Sequence, residues 1–335
     1  MSTRADPALE TLLLPFAGGG LAWPREGGAL FMGGRDGWLL HARPLPGLRI
    51  EPDDDAAATR YPLVLLLPPR QRDQARAQFA RALARLAPGG VLVACMPNKE
   101  GAKSGEADLA RLAGPLTVLA KNHCRVFWTA PLDAPADTAL AAEWRALDAP
   151  RFIAEPRVPG GGFRSRPGVF AWNRIDPASL LLAEHLPDEL RGHVADLGAG
   201  WGYLAGQVLA RCPGVTAIDL YEADPRALQL ARENLAAWNA RVPVEFFLHD
   251  VTAGLSRRYD AIVTNPPFHA QGAGERVDIG RAFIAAAAAA LHPGGRLWLV
   301  ANRHLPYESV LDASFGSVRT VVQRDGFKVV EAVAR

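Results

Sequence analysis

Two stretches of this chain repeat each other, and that repeat limits the fold more tightly than any single motif. Tyr61-Pro-Leu-Val-Leu-Leu-Leu-Pro-Pro69 matches Tyr259-Asp-Ala-Ile-Val-Thr-Asn-Pro-Pro267 at an offset of 198. Each is an apolar, strand-like run stopped by a Pro-Pro turn. Further on, Leu83-Ala-Arg-Leu-Ala-Pro-Gly-Gly-Val-Leu-Val93 matches Ala288-Ala-Ala-Leu-His-Pro-Gly-Gly-Arg-Leu-Trp298 at an offset of 205. Each of these reads as a helix stopped by Pro-Gly-Gly and followed by a strand. Chance could supply either match alone. Two matches in one order and at similar spacing predict a duplicated α/β domain, with the drift in offset absorbed by a loop. The length of 335 residues suits two such domains.

Composition narrows the function classes. Apolar residues make up 49% and charged residues 21%, a globular balance that excludes a disordered chain. The net charge is +2, so a nucleic-acid contact would have to use local patches rather than bulk charge. Only four of the 37 basic residues are lysines, so arginine counts by themselves carry little weight. Cys95, Cys124 and Cys212 form no Cys-x-x-Cys pair, which argues against a disulfide scaffold or a cysteine zinc site; no metal is expected. No apolar run approaches the roughly 20 residues of a membrane span. Asp6 and Glu10 interrupt the start of the chain, which lacks a signal-peptide core. The expectation is a cytoplasmic protein with no membrane contact.

The two copies differ where chemistry would sit. Val194-Ala-Asp196-Leu-Gly198-Ala-Gly200-Trp-Gly202 is a strand running into a glycine-rich turn, with a helix expected over 204–210. The first copy offers only Leu13-Leu-Pro-Phe-Ala-Gly18-Gly-Gly20, with no acid before the glycines, and Leu67 stands opposite Asn265. The N-terminal half reads as a worn copy that kept the fold and lost the site. Between the copies, residues 151–174 carry Gly160-Gly-Gly162 and several prolines, the composition of a linker. Five arginines (151, 157, 164, 166 and 174) are interleaved there with Phe152, Phe163, Phe170 and Trp172. A solvated connector and an RNA-facing strap are both open readings.

In the second copy, glycines let the backbone approach a nucleotide-like ligand closely. Glu222, twenty residues after Gly202, can accept both ribose hydroxyls; Asp219 competes for that role. Asp224-Pro225 caps a helix whose Leu228, Ala231 and Leu235 are core. Asp250, after the strand 244–248, would either accept from an adenine amine or cap the next turn. His249 has no partner acids or histidines at metal-ligand spacing. Asn265-Pro266-Pro267-Phe268 after the strand 261–264 is the decisive feature. The prolines remove two amide donors and stiffen the loop. The Asn265 side-chain carbonyl and the Pro266 backbone carbonyl are left to hold a planar NH2 group, and Phe268 offers a face for stacking.

These motifs resemble the class I S-adenosylmethionine-dependent methyltransferases, and specifically the RsmC/RlmG family of ribosomal RNA guanine-N2 methyltransferases. The resemblance covers nearly the whole chain. It takes in Gly168-Val-Phe170, Ile175-Asp176-Pro-Ala-Ser-Leu-Leu-Leu182, Asp196-Leu-Gly-Ala-Gly200, Asn265-Pro-Pro-Phe-His269, Val300-Ala-Asn-Arg-His-Leu-Pro-Tyr307 and Phe327-Lys-Val-Val330. In the N-terminal half it rests on Asn98-Lys-Glu-Gly-Ala-Lys-Ser-Gly-Glu106 and Lys121-Asn-His-Cys-Arg125. Ala199 departs from the cysteine many relatives carry, and Pro177-Ala-Ser179 departs from a more usual glycine.

The resemblance implies two tandem Rossmann-like methyltransferase domains: a degenerate, RNA-positioning domain over 1–150, a linker over 151–175, and a catalytic domain over 176–335. It implies that Asp196, Gly198, Ala199 and Gly200 contact S-adenosylmethionine, that Glu222 holds its ribose and that Asp250 sits near its adenine. Asp176 would line the methionine end, and Asn265 through Phe268 would clamp the guanine amine, Asn265 counting among the cofactor contacts as well. RNA contacts are expected at Lys99, Lys103, Lys121, Arg125, Arg164, Arg166 and Arg303. The partner is ribosomal RNA or a ribosomal assembly intermediate, the small subunit being favoured over the large, and the chain is expected to act as a monomer. Competing readings are an adenine-N6 or glutamine methyltransferase with the same clamp, a non-catalytic ribosome-assembly protein, and a nicotinamide-dependent dehydrogenase. The dehydrogenase leaves the Asn-Pro-Pro-Phe segment without a purpose.

Overall fold

The computed structural model describes residues 6–32, 45, 47–51, 59–267 and 273–335. They fall into two units, Met1–Ala149 and Pro150–Arg335. The strands of the first unit are β1 (Ala29–Met32), β2 (Leu48–Glu51), β3 (Tyr61–Leu66), β4 (Leu86–Pro97), β5 (Leu116–Lys121) and β6 (Cys124–Thr129). They form one sheet in the order β2-β1-β3-β4-β6-β5. Its helices are α1 (Pro7–Leu12), α2 (Leu14–Ala17), α3 (Arg72–Ala84), α4 (Ala102–Ala113) and α5 (Thr138–Arg145). The second unit opens with a hairpin of β7 (Arg151–Ala154) and β8 (Gly162–Ser165). Its main sheet comprises β9 (Arg191–Leu197), β10 (Gly214–Glu222), β11 (Val244–Leu248), β12 (Tyr259–Thr264), β13 (Leu291–Asn302), β14 (Ser317–Arg324) and β15 (Phe327–Val333). Its helices are α6 (Pro177–His185), α7 (Tyr203–Arg211), α8 (Pro225–Leu235), α9 (Ala273–Ala290) and α10 (Glu308–Ser314).

The second main sheet runs β11-β10-β9-β12-β13-β15-β14. Leaving aside β11, this is the order of the first sheet, strand for strand. The directions agree too: the leading strands are parallel, and the last two are joined antiparallel as a hairpin. The parallel strands are apolar on both faces because helices cover both sides; Ala261, Ile262, Val263 and Thr264 of β12 are all buried. The helices start where short polar side chains cap them. Asp224 accepts from Arg226 N at 2.9 Å ahead of Pro225, and Asp176 accepts from Ser179 N at 2.9 Å ahead of Pro177.

Three expectations need correction. First, Pro-Gly-Gly does not stop the helices. α3 ends at Ala84 and α9 at Ala290, and the following strands begin before the Pro-Gly-Gly in both copies. The ladder jumps from Tyr61↔Leu86 to Leu63↔Val91, and likewise from Tyr259↔Leu291 to Ala261↔Arg296. Pro-Gly-Gly is the bulge at that jump. Gly89 and Gly294 take φ of +74° and +77°, and a Cβ on Gly90 or Gly295 would lie 2.8 or 2.9 Å from a carbonyl oxygen.

Second, residues 151–175 are not a free linker. The β7–β8 hairpin belongs to the second unit, and Phe163 and Val158 are buried in that unit's core. Gly160 and Gly161 close its turn, with φ of +89° and +79°, and Gly162 opens β8. Third, Gly18–Gly20 follow α2 rather than a strand. By sheet position the counterpart of β9 is β1, and residues 33–44 after it lie outside the described residues. Leu67 keeps its expected place, directly after β3 as Asn265 is after β12.

Candidate functional site

The C-terminal ends of β9, β10 and β12 meet around the glycine turn. Gly198, Gly200 and Gly202 have φ of +71°, +57° and +91°, a left-handed series open to glycine and strained for other residues. Gly198 N and Ala199 N both donate to Tyr221 O, at 2.9 and 3.1 Å, which pins the turn to the end of β10. A Cβ on Gly200 would meet nothing within 4 Å, so the turn faces open space. Asp196 lies beneath it, 1% exposed. Its Oδ2 accepts from Ala205 N at 2.9 Å, while Oδ1 is buried without a partner. Burial is the main cause that pushes this carboxyl up to about 7.

Glu222 and Asp219 differ in surroundings as well as position. Glu222 stands at the turn, accepting from Gly200 N and Asp224 N at 2.8 Å each. Asp219, three residues earlier on β10, points to the other face of the sheet. It is buried and engaged by Tyr259 OH at 2.8 Å and Arg257 Nη1 at 3.1 Å, with His193 Nε2 also 3.1 Å away. Its position and partners separate it from the turn. Asp250 caps the short turn after β11: its Oδ1 accepts from Thr252 N at 2.9 Å and Thr252 Oγ1 at 2.7 Å. It is exposed, and His249 N bonds Glu222 O at 3.0 Å, so Asp250 stays on the Glu222 side of the site. His249 bonds Gly254 O.

Asn265 follows β12, whose end is stitched to β9 by Thr264 Oγ1 donating to Leu197 O at 2.8 Å. Its Nδ2 donates to Asp176 Oδ2 at 3.0 Å and to Ser179 Oγ at 2.8 Å. Its Oδ1 is buried and has no partner. The amide is therefore fixed by its nitrogen and presents its oxygen. The resemblance puts Asp176 at the methionine end of a cofactor; in the structure its Oδ2 caps α6 and holds Asn265. Pro266 is buried and Pro267 exposed. Phe268 lies outside the described residues.

A cleft runs between Asn265 and the glycine turn, lined by Asp176, Ser179, Gly198, Gly200, Asn265 and Phe170. Phe170 is 48% exposed for a large apolar ring, beside Ala171 at φ +49°. The sequence alone gives Phe170 no role in the site; the available signal is an aromatic after a glycine turn ahead of Asp176. A roomier hollow in the first unit, around Arg60, Leu86 and Leu132, holds none of the expected site residues. Among the described residues no group of three or more His, Cys, Asp or Glu could hold a metal ion.

In the first unit Lys99, Lys103 and Lys121 are exposed. Asn98 N donates to His123 O at 2.8 Å, drawing the loop after β4 against the β5–β6 turn, so the three lysines share one end of the sheet. The second unit has the same bond, from Arg303 N to Gly326 O at 2.8 Å. Arg303 is exposed at that corner. The remaining lysine, Lys328, is buried and donates to Leu305 O at 2.9 Å. Arg125 pairs with Glu106 and Arg164 with Glu233, each at 2.8 Å, and Arg166 is half-buried. Arg125 and Arg164 are thus tied to the protein itself, which the sequence does not foreshadow.

Comparison with known proteins places this geometry among relatives. A family model described as the methyltransferase small domain matches residues 160–331. The chain is 33% identical over 303 residues to the ribosomal RNA small subunit methyltransferase C of Pseudomonas paraeruginosa, covering 88% of both proteins. It is 28% identical over 286 residues to the protein of the same name from Psychromonas ingrahamii, covering 84% of this chain and 79% of that one. Among solved structures it resembles the T. thermophilus 16S rRNA N2 G1207 methyltransferase (RsmC) in complex with AdoMet and guanosine. That match has a TM-score of 0.78 and 28% identity, and covers 100% of this chain and 93% of the other.

Proposed function

The chain belongs to the methyltransferase small-domain family and to its RsmC branch, and from that premise we propose that it methylates the exocyclic N2 amine of a guanine in small-subunit ribosomal RNA. The observation that carries the reading is Asn265: its nitrogen is held by Asp176 and Ser179, and its buried carbonyl oxygen has no partner. An acceptor so fixed suits an amino group, and a buried acceptor left unpaired is costly unless a ligand supplies the donor.

S-adenosylmethionine fits the remaining groups. Its ammonium, ribose hydroxyls and adenine amine are donors, and the strand ends around the glycine turn offer acceptors in Asp196 Oδ1, Glu222 and Asp250. Gly198, Ala199 and Gly200 bring open backbone beside them. When bound, the cofactor supplies a methyl carbon made electrophilic by its sulfonium. The chain's own work is orientation. Asn265 Oδ1 and Pro266 O each accept one hydrogen of the guanine amine, so that the nitrogen lone pair faces the methyl group. That lone pair is delocalised in the flat ground state, and two acceptors at a fixed angle favour the pyramidal, cation-like transition state. No side chain need act as a base, because the methylated nitrogen is cationic and sheds its proton to water. Asp176 serves as a positioning residue that keeps the Asn265 carbonyl facing the substrate.

The first unit, with Leu67 in place of the clamp asparagine, is assigned to RNA positioning through Lys99, Lys103 and Lys121. On this reading the chain works in the cytoplasm as a monomer, acting on ribosomal RNA or an assembly intermediate. Among the described residues no helix is long and apolar enough to cross a membrane. Labelled S-adenosylmethionine and unmodified small-subunit RNA, followed by nucleoside analysis, test the reading. Label in N2-methylguanosine is expected. Label in N6-methyladenosine would overturn the base, and cofactor binding without transfer would favour a non-catalytic assembly factor.

A further inference from the structure

We propose that Asn234 is a positioning residue for cofactor binding, latching the β7–β8 hairpin to the glycine turn and holding that turn in shape. The inference rests on the reading above, in which that turn receives S-adenosylmethionine. Asn234 lies one residue from the end of α8, yet its side chain serves two distant segments. Its Oδ1 accepts from Arg164 N at 2.7 Å. Its Nδ2 donates to Arg164 O at 3.0 Å and to Trp201 O at 2.9 Å. Trp201 stands between Gly200 and Gly202, so the bonded carbonyl is in the turn itself.

The turn's other restraints close it on itself or hold the start of α7: Gly202 N donates to Ala199 O and Ala205 N to Asp196 Oδ2, each at 2.9 Å, and neither reaches the Trp201 carbonyl. Gly202, the N-cap of α7, has no side chain to add a bond, and it and Gly200, both left-handed, flank Trp201. Glycine has the most backbone freedom to lose on ordering. Glu222 fixes the 199–200 peptide by accepting from Gly200 N, and Asn234 fixes the 201–202 peptide by donating to Trp201 O. The hairpin reinforces the second restraint. Phe163 lies flat on the Trp201 indole, with centroids 3.8 Å apart and planes 5° from parallel. Close approach of α8 completes the latch, since a Cβ on Gly202 would come within 3.2 Å of Leu235. A turn already held in the bound shape loses less entropy when the ligand arrives.

Asn234→Asp is the informative variant. It keeps size and shape but sets a carboxylate oxygen against two backbone carbonyls, removing both donor bonds. Isothermal titration should give an S-adenosylmethionine Kd raised by about tenfold, the worth of one or two neutral hydrogen bonds. The KM for cofactor should rise in step, while kcat at saturating cofactor stays within about twofold of wild type. A residue with only a structural role would instead lower the melting temperature and the active fraction, reducing kcat and leaving KM unmoved. Phe163→Leu removes the stacking while keeping an apolar side chain, and should weaken cofactor binding in the same direction, so it decides the matter if Asn234→Asp does not fold. Wild-type cofactor affinity in the folded Asn234→Asp protein, or in Phe163→Leu if that variant alone folds, would overturn the latch. Failure of the wild-type protein itself to bind S-adenosylmethionine would instead overturn the functional reading.

Discussion

Asn265 has both its Nδ2 hydrogens engaged, one by a carboxylate and one by a hydroxyl, so turning the amide over would break two bonds and set its carbonyl against Asp176. That locks which end faces the cleft. Asn265→Ala should lower the methyl-transfer rate by roughly 10²–10³, the cost of losing one preorganised polar group, and leave cofactor affinity unchanged. Single-turnover kinetics beside a cofactor titration would check both halves; a wild-type rate would refute the clamp. Glu222 makes charge-assisted hydrogen bonds, and Glu222→Ala should cost about 1.5–3 kcal/mol of S-adenosylmethionine affinity, read by calorimetry. Unchanged affinity would remove Glu222 from the ribose. Asp219 is a poor substitute, being buried against Tyr259 and Arg257. At this scale the sequence is informative, because an acid or asparagine at a strand end is tied to a known edge of the sheet. The hold of Asp176 and Ser179 on Asn265 is not legible there, since 89 and 86 residues separate the partners.

Strands and helices are legible in the sequence where periodicity and caps agree, as at Asp224-Pro225 and Tyr259–Thr264, and ambiguous where glycine and proline allow two structures. Pro-Gly-Gly is equally good as a helix stop and as a strand bulge, and only the ladder jump decides between them. In the hairpin, the alternation of exposed Phe152, half-buried Ile153 and exposed Ala154 spans too few residues to outweigh the nearby glycines and prolines. The β4 and β5–β6 ends give the clearest prediction for elements. Lys99, Lys103 and Lys121 are gathered there by the Asn98–His123 bond, a proximity that their spacing in the chain does not require. Replacing all three with alanine should lower the salt slope of RNA binding by about two to three units, roughly one for each phosphate no longer neutralised. Cofactor affinity should not change. Wild-type RNA affinity and slope in a salt series would return these lysines to plain surface solvation.

For the whole molecule, the two units share a strand order, as a duplicated domain would, and Leu67 follows β3 of the first where Asn265 follows β12 of the second. The internal repeat in the sequence reveals this much, because Tyr-to-Pro-Pro and Pro-Gly-Gly segments fall on matching strands. It cannot align the first glycine turn, since Gly18–Gly20 resemble the motif in composition but sit after a helix. One working site per chain, acting on one kind of base, is the central claim. Nucleoside mapping of ribosomal RNA from cells lacking this chain tests it most directly. One guanine in small-subunit RNA should lose its N2-methyl group, restored by the wild-type protein and not by Asn265→Ala. A full complement of N2-methylguanosine in the small-subunit RNA of those cells would contradict the claim.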